Sequence, residues 1–293
     1  MARLIMVLGA LPRPVGKTGF VLALLWGLRE IGVRALPVKP VSLVDWYADY
    51  DLYLRWREEG MPFPREALVF QEAEPRLGVE EASPVCIVRT PLNPGYFLEA
   101  GSPGQLYVYE ADASRSSVVT RITLLGEERV GYALVNGKLL ARGAARISRE
   151  EIERITRRLD RVESVWGYGE YADAVAANSA IAVARGVEWL SEKSLAVVAE
   201  GLGDAAFIPG VTSDVHLVVA IYPGSALVYD PLRYLSAVAV RGRSARALRF
   251  RDIFEFLRPR GVYPLEPVSS GMLPEDIYRR NRVSVEKILG FLE

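Results

Sequence analysis

Short apolar runs and one longer amphipathic run alternate over the first forty residues. Residues 3–8 are apolar apart from Arg3 and close at Gly9, which predicts a buried strand. Apolar positions recur at helical spacing over 17–31 and stop at Gly32, a residue that favours helix ends. Residues 35–38 predict a second strand. This strand–turn–helix–strand order is the βαβ unit of a parallel sheet.

The second half of the chain repeats the order of apolar strand, polar or glycine-rich loop, and helix. We expect further strands at 195–199, 216–222 and 261–264. We expect helices at 149–163, 170–191, 249–258 and 275–291. The repetition predicts an α/β fold with a mostly parallel sheet and helices on both faces.

The middle of the chain has a different pattern. Alternation predicts strands at 106–109, 118–125 and 130–141, and Asn136-Gly137 is a pair typical of a two-residue hairpin turn. We interpret this stretch as an antiparallel β excursion around 105–142. No linker-like composition separates it from its flanks. We therefore predict one domain over 1–293 with an inserted β-hairpin region at about 105–145.

Composition narrows the classes of function. The chain has 293 residues, is 50% hydrophobic and has a formal net charge of +0, so we expect no broad electrostatic contact with nucleic acid or with an anionic membrane. A single cysteine, Cys86, and a single histidine, His216, exclude an internal disulfide and a His/Cys zinc site. The apolar runs are too short for a signal peptide or a membrane span. We expect a cytoplasmic protein.

The strongest motif is Gly16-Lys17-Thr18, which lies between a predicted strand and a predicted helix. Backbone N–H groups at a helix N-terminus surround phosphate oxygens, the lysine reaches the β- and γ-phosphates, and the threonine hydroxyl reaches Mg²⁺. The three residues alone are a weak pattern. Their place between strand and helix makes the signal much more specific, and it predicts binding of ATP or GTP with Mg²⁺.

The loop departs from the usual phosphate-binding pattern. Leu11 stands where glycine is usual, five residues before Gly16. Pro12 and Pro14 have no N–H, so at least one amide that often faces a phosphate is absent. The alternative interpretation is a proline-rich connection that binds nothing.

Three segments in this order resemble the dethiobiotin synthetase-like branch of P-loop NTPases, the class that includes signal-recognition and metal-insertion GTPases. They are the turn Val15–Thr18, the strand end Val38-Lys39-Pro40-Val41-Ser42, and the strand 196–200 followed by Gly201-Leu202-Gly203. The chain also resembles an archaeal family described as predicted P-loop ATPase/GTPase. The resemblance spans residues 3 to about 270 and bears on fold and nucleotide more than on substrate.

The resemblance implies roles for single residues. Lys17 would contact phosphates, and Lys39 would face the γ-phosphate and the group that is phosphorylated. Thr18 and Glu200 would hold Mg²⁺, and Glu200 would serve catalysis with the two lysines. The expected nucleotide contacts are Pro14, Val15, Gly16, Lys17, Thr18 and Gly19.

A second metal carboxylate is expected between Lys39 and the next strand of the family pattern. Glu66, in Arg65-Glu66-Ala67-Leu68, is the first choice because the related enzymes have Asp-Ala-Leu there. Asp49 and Asp51 are the alternatives. Each of the three, taken alone, is also typical of a solvated helix residue.

Three functions fit these observations. The first is ATP-dependent phosphoryl transfer to a small carboxylate or carbamate acceptor, as the resemblance implies, or hydrolysis. The second is a regulatory NTPase that acts on a protein partner, for which a nucleotide-dependent homodimer would be evidence. The third is a nucleotide-binding relic with a structural role. The chain lacks Asn-Lys-x-Asp, the usual guanine-reading segment, which favours ATP over GTP.

Overall fold

The computed structural model describes residues 2–211, 214–241, 248–269 and 271–292. It confirms the α/β class, with two mixed sheets and flanking helices. Within those ranges, no helix combines the length and the apolar character that crossing a membrane requires.

The secondary structure elements are numbered along the chain. The strands are β1 (Arg3–Gly9), β2 (Ala35–Val38), β3 (Val41–Asp45), β4 (Val85–Arg89), β5 (Ser117–Leu124), β6 (Val130–Asn136), β7 (Arg161–Val165), β8 (Ala196–Glu200), β9 (Val215–Tyr222), β10 (Ser225–Tyr229) and β11 (Gly261–Pro264). The α-helices are α1 (Lys17–Glu30), α2 (Tyr50–Glu59), α3 (Arg65–Ala73), α4 (Val79–Ala82), α5 (Pro94–Glu99), α6 (Pro103–Ala111), α7 (Ala113–Ser116), α8 (Gly137–Ala141), α9 (Arg149–Thr156), α10 (Tyr168–Lys193), α11 (Pro231–Arg241), α12 (Arg251–Phe254) and α13 (Pro274–Leu289). A 3₁₀ turn follows at Gly290–Leu292.

The chain divides into two compact units. The first unit comprises Met1–Pro40, Glu66–Ala82 and Gly186–Glu293, and the second comprises Val41–Arg65 and Ser83–Arg185. The sheet of the first unit has the order β11-β10-β9-β1-β8-β2. Strands β9, β1, β8 and β2 are mutually parallel, whereas β10 is antiparallel to both β9 and β11.

Strand β1 forms the centre of the first unit. Ile5 to Leu8 are fully buried, as a strand with neighbours on both edges requires. Helix α1 packs against α13, and the two helices approach closely at Gly27, where a Cβ would lie 2.8 Å from Val285 Cγ1. This packing fixes α1 above the sheet, so that its N-terminus follows directly from the end of β1.

The second unit contains the sheet β3-β4-β5-β6-β7. Its centre holds a fully buried arginine, Arg121. Arg121 Nε donates to the Pro62 carbonyl at 2.7 Å, Nη1 donates to Thr123 Oγ1 at 2.6 Å, and Nη2 donates to the Ser83 carbonyl. The guanidinium group thereby donates to two carbonyls and one hydroxyl inside the unit, which is how a buried charged side chain is satisfied.

The five strands predicted in the first unit are confirmed as β1, β2, β8, β9 and β11. The antiparallel pair predicted at 118–125 and 130–141 is also present, as β5 and β6. Strand β6 ends at Asn136, earlier than predicted, and α8 follows at once. Strands β3, β4, β7 and β10 were not predicted.

Two local predictions are wrong. Residues 106–109, predicted as a strand, lie in helix α6, which has Pro103 in its first turn, where the missing N–H is harmless. Asn136-Gly137 is not a hairpin turn, because the Asn136 side chain accepts from Leu139 N at 3.2 Å and caps α8. The β5–β6 connection is made instead by residues 125–129.

The helix predicted at 149–163 is shorter than expected. Helix α9 ends at Thr156, and β7 begins at Arg161. Helix α12 is likewise limited to Arg251–Phe254 within the predicted 249–258.

We predict that Arg121→Ala lowers the free energy of unfolding of the second unit by about 3–5 kcal/mol, because it leaves buried carbonyls unpaired and opens a cavity. Urea unfolding followed by tryptophan fluorescence measures the change. Arg185→Ala, an exposed arginine on α10, is the matched control and should change the free energy by less than about 0.5 kcal/mol. Equal losses in the two variants would contradict the structural role of Arg121.

Candidate functional site

The candidate site lies at the carboxyl ends of three neighbouring parallel strands of the first unit. In the sheet register Val7 of β1 is opposite Glu200, and Val38 of β2 is opposite Ala199. Glu200 therefore ends β8 beside the end of β1, and Lys39 directly follows β2. The carboxyl edge of a parallel sheet is where ligands of α/β proteins bind.

The β1–α1 loop (residues 10–16) leads from this edge into helix α1. Gly16 has φ 88° and ψ 21°, a left-handed conformation that glycine adopts without strain. Helix α1 has no side-chain cap and no acidic residue in its first turn. The first N–H groups of a helix have no acceptor within the helix, and the positive end of the helix dipole lies there, which is an arrangement suited to an anion.

The predicted nucleotide contacts differ in exposure. Pro14 and Gly16 are exposed, Val15 is buried, and Thr18 and Gly19 are half-buried in the first turn of α1. Gly19 faces the segment after β11, because a Cβ on Gly19 would lie 2.8 Å from Val268 Cγ2. The loop therefore exposes the backbone of Gly16 as well as the residues Pro12, Arg13 and Pro14.

Lys17 is the first residue of α1 and is 8% exposed. Its Nζ donates to the Gly203 carbonyl oxygen at 2.8 Å. Burial, followed by repulsion from Lys39, lowers the pKa of Lys17 below its ordinary value, while Glu200, Glu66 and Asp204 act in the opposite direction. The ammonium group is thus held by a neutral acceptor in a strongly charged neighbourhood.

Lys39 and Glu200 form a buried ion pair, with 3% and 2% of each residue exposed. Lys39 Nζ donates to Glu200 Oε1 at 2.6 Å and to the Gly201 carbonyl at 3.1 Å, and it lies 3.5 Å from Glu66 Oε1. Burial alone would lower the pKa of Lys39, but Glu200 and Glu66 together raise it above its ordinary value. The ammonium group therefore stays charged inside the protein.

A buried ion pair of this kind is weak evidence for stability, because desolvation of both charges offsets their attraction. Such pairs in clefts are more often found where charge has a task in binding or catalysis. The second oxygen of Glu200, Oε2, is buried and has no hydrogen-bond partner among the described residues. A buried carboxylate oxygen without a donor fits a cation as its partner.

The three candidates for the second carboxylate have different surroundings. Glu66, at the start of α3, contacts the Lys39 ammonium. Asp49 and Asp51 belong to the second unit and pair with Arg65, at 3.7 Å and 2.9 Å. Glu66 is therefore the carboxylate that the structure brings together with Lys39 and Glu200.

Among the residues that the structure describes, no group of three or more His, Cys, Asp or Glu side chains is arranged to hold a metal ion. The set predicted from the sequence, Thr18, Glu66 and Glu200, has two carboxylates and one hydroxyl. Such a set needs further oxygen ligands, for which phosphate and water are the usual sources at Mg²⁺ sites.

A cavity of about 430 Å³ opens beside the β1–α1 loop. Its walls are loop residues 14–16, Gly19 and Phe20 of α1, the turn Pro223-Gly224, segment 265–268 after β11, and Ile277 and Asn281 of α13. Asn281 Oδ1 accepts from Glu266 N at 2.8 Å, which fixes segment 265–268 as one wall. The cavity has the size of a small-ligand pocket, and it adjoins the exposed backbone of the loop.

The sequence interpretation missed two residues at the site. Gly9 ends β1, and a Cβ there would lie 2.3 Å from the Gly203 carbonyl oxygen and 2.9 Å from Lys17 Nζ. Asp204 is buried beside the glycine segment and pairs with Arg249. The glycine that ends the first strand was the available signal for Gly9. Asp204 directly follows Gly203, and nothing in the local pattern marked it.

Searches for related proteins give no family resemblance to set beside this geometry. No protein-family model, no curated protein and no solved structure matches the chain.

We predict that Gly9→Ala lowers the free energy of unfolding by about 1–3 kcal/mol, because the new methyl group overlaps a backbone oxygen and the Lys17 ammonium. Gly169→Ala in α10 is the control, since a Cβ there has no heavy atom within 4 Å. It should be neutral or stabilise by up to about 1 kcal/mol. Urea unfolding of both variants measures the difference, and equal stabilities would show that the close approach at Gly9 carries no constraint.

Proposed function

We propose that this protein binds Mg²⁺ and ATP, in preference to GTP, on the β1–α1 loop, and that it transfers or hydrolyses the γ-phosphoryl group. The observation that carries the proposal is the convergence of two buried lysines and a buried carboxylate beside the uncapped N-terminus of α1. Anions bind at such helix ends, and lysines there stabilise charge on phosphates.

The finer fold assignment is part of the proposal. A P-loop NTPase has its phosphate loop between the first strand and the first helix, within a sheet of parallel strands. Strands β9, β1, β8 and β2 are parallel neighbours, and the Gly16-Lys17-Thr18 turn joins β1 to α1, which supports this assignment. The antiparallel strands β10 and β11 extend the sheet at one edge.

Each site residue has a role in the proposed chemistry. Lys17 would exchange the Gly203 carbonyl for phosphate oxygens, together with the first N–H groups of α1. Thr18, Glu200 and Glu66 would hold Mg²⁺, which supplies positive charge to the phosphates when bound. Lys39 would face the transferring phosphoryl group, where an ammonium offsets charge that builds up during transfer.

The cavity beside the loop suits the nucleoside part of the nucleotide. Its walls include the exposed loop backbone and the segment after β11, so a base and ribose there would lie next to phosphates on α1. The acceptor is proposed to be a small carboxylate or carbamate, by the resemblance to dethiobiotin synthetase. Transfer to water is the same reaction with water as the acceptor.

A second candidate function is a regulatory NTPase whose nucleotide state controls a protein partner. The observation that favours it is the loop itself, because Pro12 and Pro14 lack the N–H groups that would help to stabilise a transferring phosphate. Slow turnover suits a switch better than a metabolic enzyme. Dimerisation of the protein on addition of nucleotide, measured by light scattering, would favour this function over the first.

Calorimetric titration with MgATP and MgGTP tests the central proposal. We predict that Lys17→Ala weakens ATP binding by about tenfold to a hundredfold, the cost of a lost hydrogen bond between charged groups. Lys287→Ala, an exposed lysine on α13, is the control and should bind as the parent does. Equal affinity of parent and Lys17→Ala would remove the proposed site.

The second test concerns the role of Lys39 in chemistry. We predict that Lys39→Ala slows single-turnover hydrolysis by roughly 10²-fold, as for one lost preorganised electrostatic contact, and changes the nucleotide Kd much less. Rapid-quench measurement of the rate, beside calorimetric Kd values, separates the two effects. An unchanged rate would assign Lys39 to structure and would favour the regulatory function.

A further inference from the structure

One ammonium group lies between the two carboxylates that are predicted to hold the metal. Lys39 Nζ is 2.6 Å from Glu200 Oε1, 3.5 Å from Glu66 Oε1 and 3.1 Å from the Gly201 carbonyl oxygen. We name these three oxygen-bearing residues the cation cage. The cage offers oxygen ligands alone, which is the donor set that Mg²⁺, Mn²⁺ and Ca²⁺ prefer.

The cage has acceptor capacity that Lys39 leaves unused. Glu200 Oε2 is buried and has no hydrogen-bond partner among the described residues. The Lys39 ammonium group has three N–H donors, and its contacts with Glu200 Oε1, the Gly201 carbonyl and Glu66 Oε1 account for all three, so none is left for Oε2. A buried oxygen without a donor costs free energy, so this cage is better matched to a larger charge than the one it holds.

Charge balance explains why a divalent ion would not simply join Lys39. The cluster contains two lysines, Lys17 and Lys39, and two carboxylates, Glu66 and Glu200, so its formal charge is zero. Adding two positive charges to a buried neutral cluster is unfavourable unless an ammonium leaves or an anion arrives. A bound polyphosphate would supply that anion and would attract both ammonium groups.

We propose that Lys39 is the resident cation of the Glu200–Gly201–Glu66 cage, and that a divalent metal ion enters only when the Lys39 ammonium leaves Glu200. The ammonium group can leave on the side of Glu66, because the Glu66 side chain is 32% exposed to solvent, whereas that of Glu200 is 2% exposed. Under the proposed function, on which the role of nucleotide in this exchange rests, phosphate draws Lys39 from the cage and frees Glu200. Metal and nucleotide then strengthen each other's binding.

The exchange can be tested without nucleotide. Mn²⁺ is titrated into the 293-residue protein, and free Mn²⁺ is followed by electron paramagnetic resonance. The parent should bind weakly, and Lys39→Met should bind at least about tenfold more tightly, because a like charge a few ångströms away has been removed. Lys287→Met, which removes an exposed lysine of α13, is the matched control and should behave as the parent.

A second variant tests whether the higher Mn²⁺ affinity of Lys39→Met comes from the cation cage. Adding Glu200→Gln to Lys39→Met should return Mn²⁺ affinity to that of the parent or below it. The proposal is overturned if Lys39→Met binds Mn²⁺ no more tightly than the parent, or if the double variant keeps the gain. Either result would mean that the ammonium does not occupy a metal position.

Stability of Lys39→Met gives an independent measurement, since the variant leaves Glu200 without its counterion. Its midpoint of thermal unfolding should rise on addition of Mn²⁺ by more than that of the parent, because the metal binds the folded state. If the variant is unfolded without metal, refolding in Mn²⁺ and loss of structure on chelation support the proposal. A variant that stays unfolded in saturating Mn²⁺ counts against it, because the cage should accept the metal in place of the ammonium.

These outcomes are separate from those of the nucleotide tests. A gain of Mn²⁺ affinity in Lys39→Met with no ATP or GTP binding by the parent would keep the cation cage and remove the proposed function. Nucleotide binding that depends on Lys17, with unchanged Mn²⁺ affinity in Lys39→Met, would keep the function and remove the exchange.

Discussion

The ion pair between Lys39 and Glu200 is the constraint on which the candidate site depends. Each charge is buried, so neither can be tolerated unless the ends of β2 and β8 meet in one register. The sheet provides that register by pairing Val38 with Ala199 one residue earlier. A slip of one residue would turn Glu200 to the other face and leave two uncompensated charges inside the protein. The ion pair therefore requires this sheet register, and the register in turn brings the two charges together.

Glycines make room for this arrangement. Gly9 and Gly203 approach so closely that a side chain on Gly9 would overlap both the Gly203 oxygen and the Lys17 ammonium. Gly201 is similarly close to Leu8, with a Cβ position 2.7 Å from Leu8 Cδ2. Backbone thus packs against backbone at Gly9 and against a side chain at Gly201, and the Lys17 ammonium lies in the space that the absent side chain of Gly9 leaves.

Five of the six strands described in the first unit were predicted, because their apolar runs end at or close to glycine or proline, which limits the runs to the length of a strand. The helix α6 was missed because Leu106-Tyr107-Val108-Tyr109 was assigned to a strand by alternation, although four residues are too few to separate a helical from a strand period. Strand β7 was missed for the opposite reason, since its residues are exposed or half-buried and carry no apolar pattern. Short segments of this kind are decided by tertiary contacts that the local sequence does not contain.

The two lysines and the two carboxylates of the candidate site were named from the sequence, but their mutual contacts were not. Lys39 and Glu200 are 161 positions apart in the chain, and local pattern indicates only that both follow strands. Lys39 was expected to face a phosphate, whereas in the structure it is paired with Glu200 and Glu66. A contact of this range depends on the strand order of the sheet, which a single sequence leaves open.

The two lysines of the site are held by acceptors of different strength, and this makes them unequal toward phosphate. Lys17 donates to a neutral carbonyl, so a charged phosphate oxygen would be the better acceptor and would displace the carbonyl with a net gain. Lys39 donates to a carboxylate, so phosphate replaces one anion by another and gains only if Glu200 acquires a new cation. Under the proposed function, phosphate alone is therefore enough to recruit Lys17, whereas Lys39 moves when phosphate and a cation are both present. Under that proposal, a loop with two prolines in place of amide donors would make the first step depend strongly on Lys17. The buried carboxylate would then restrict the second step to the complete metal–nucleotide complex.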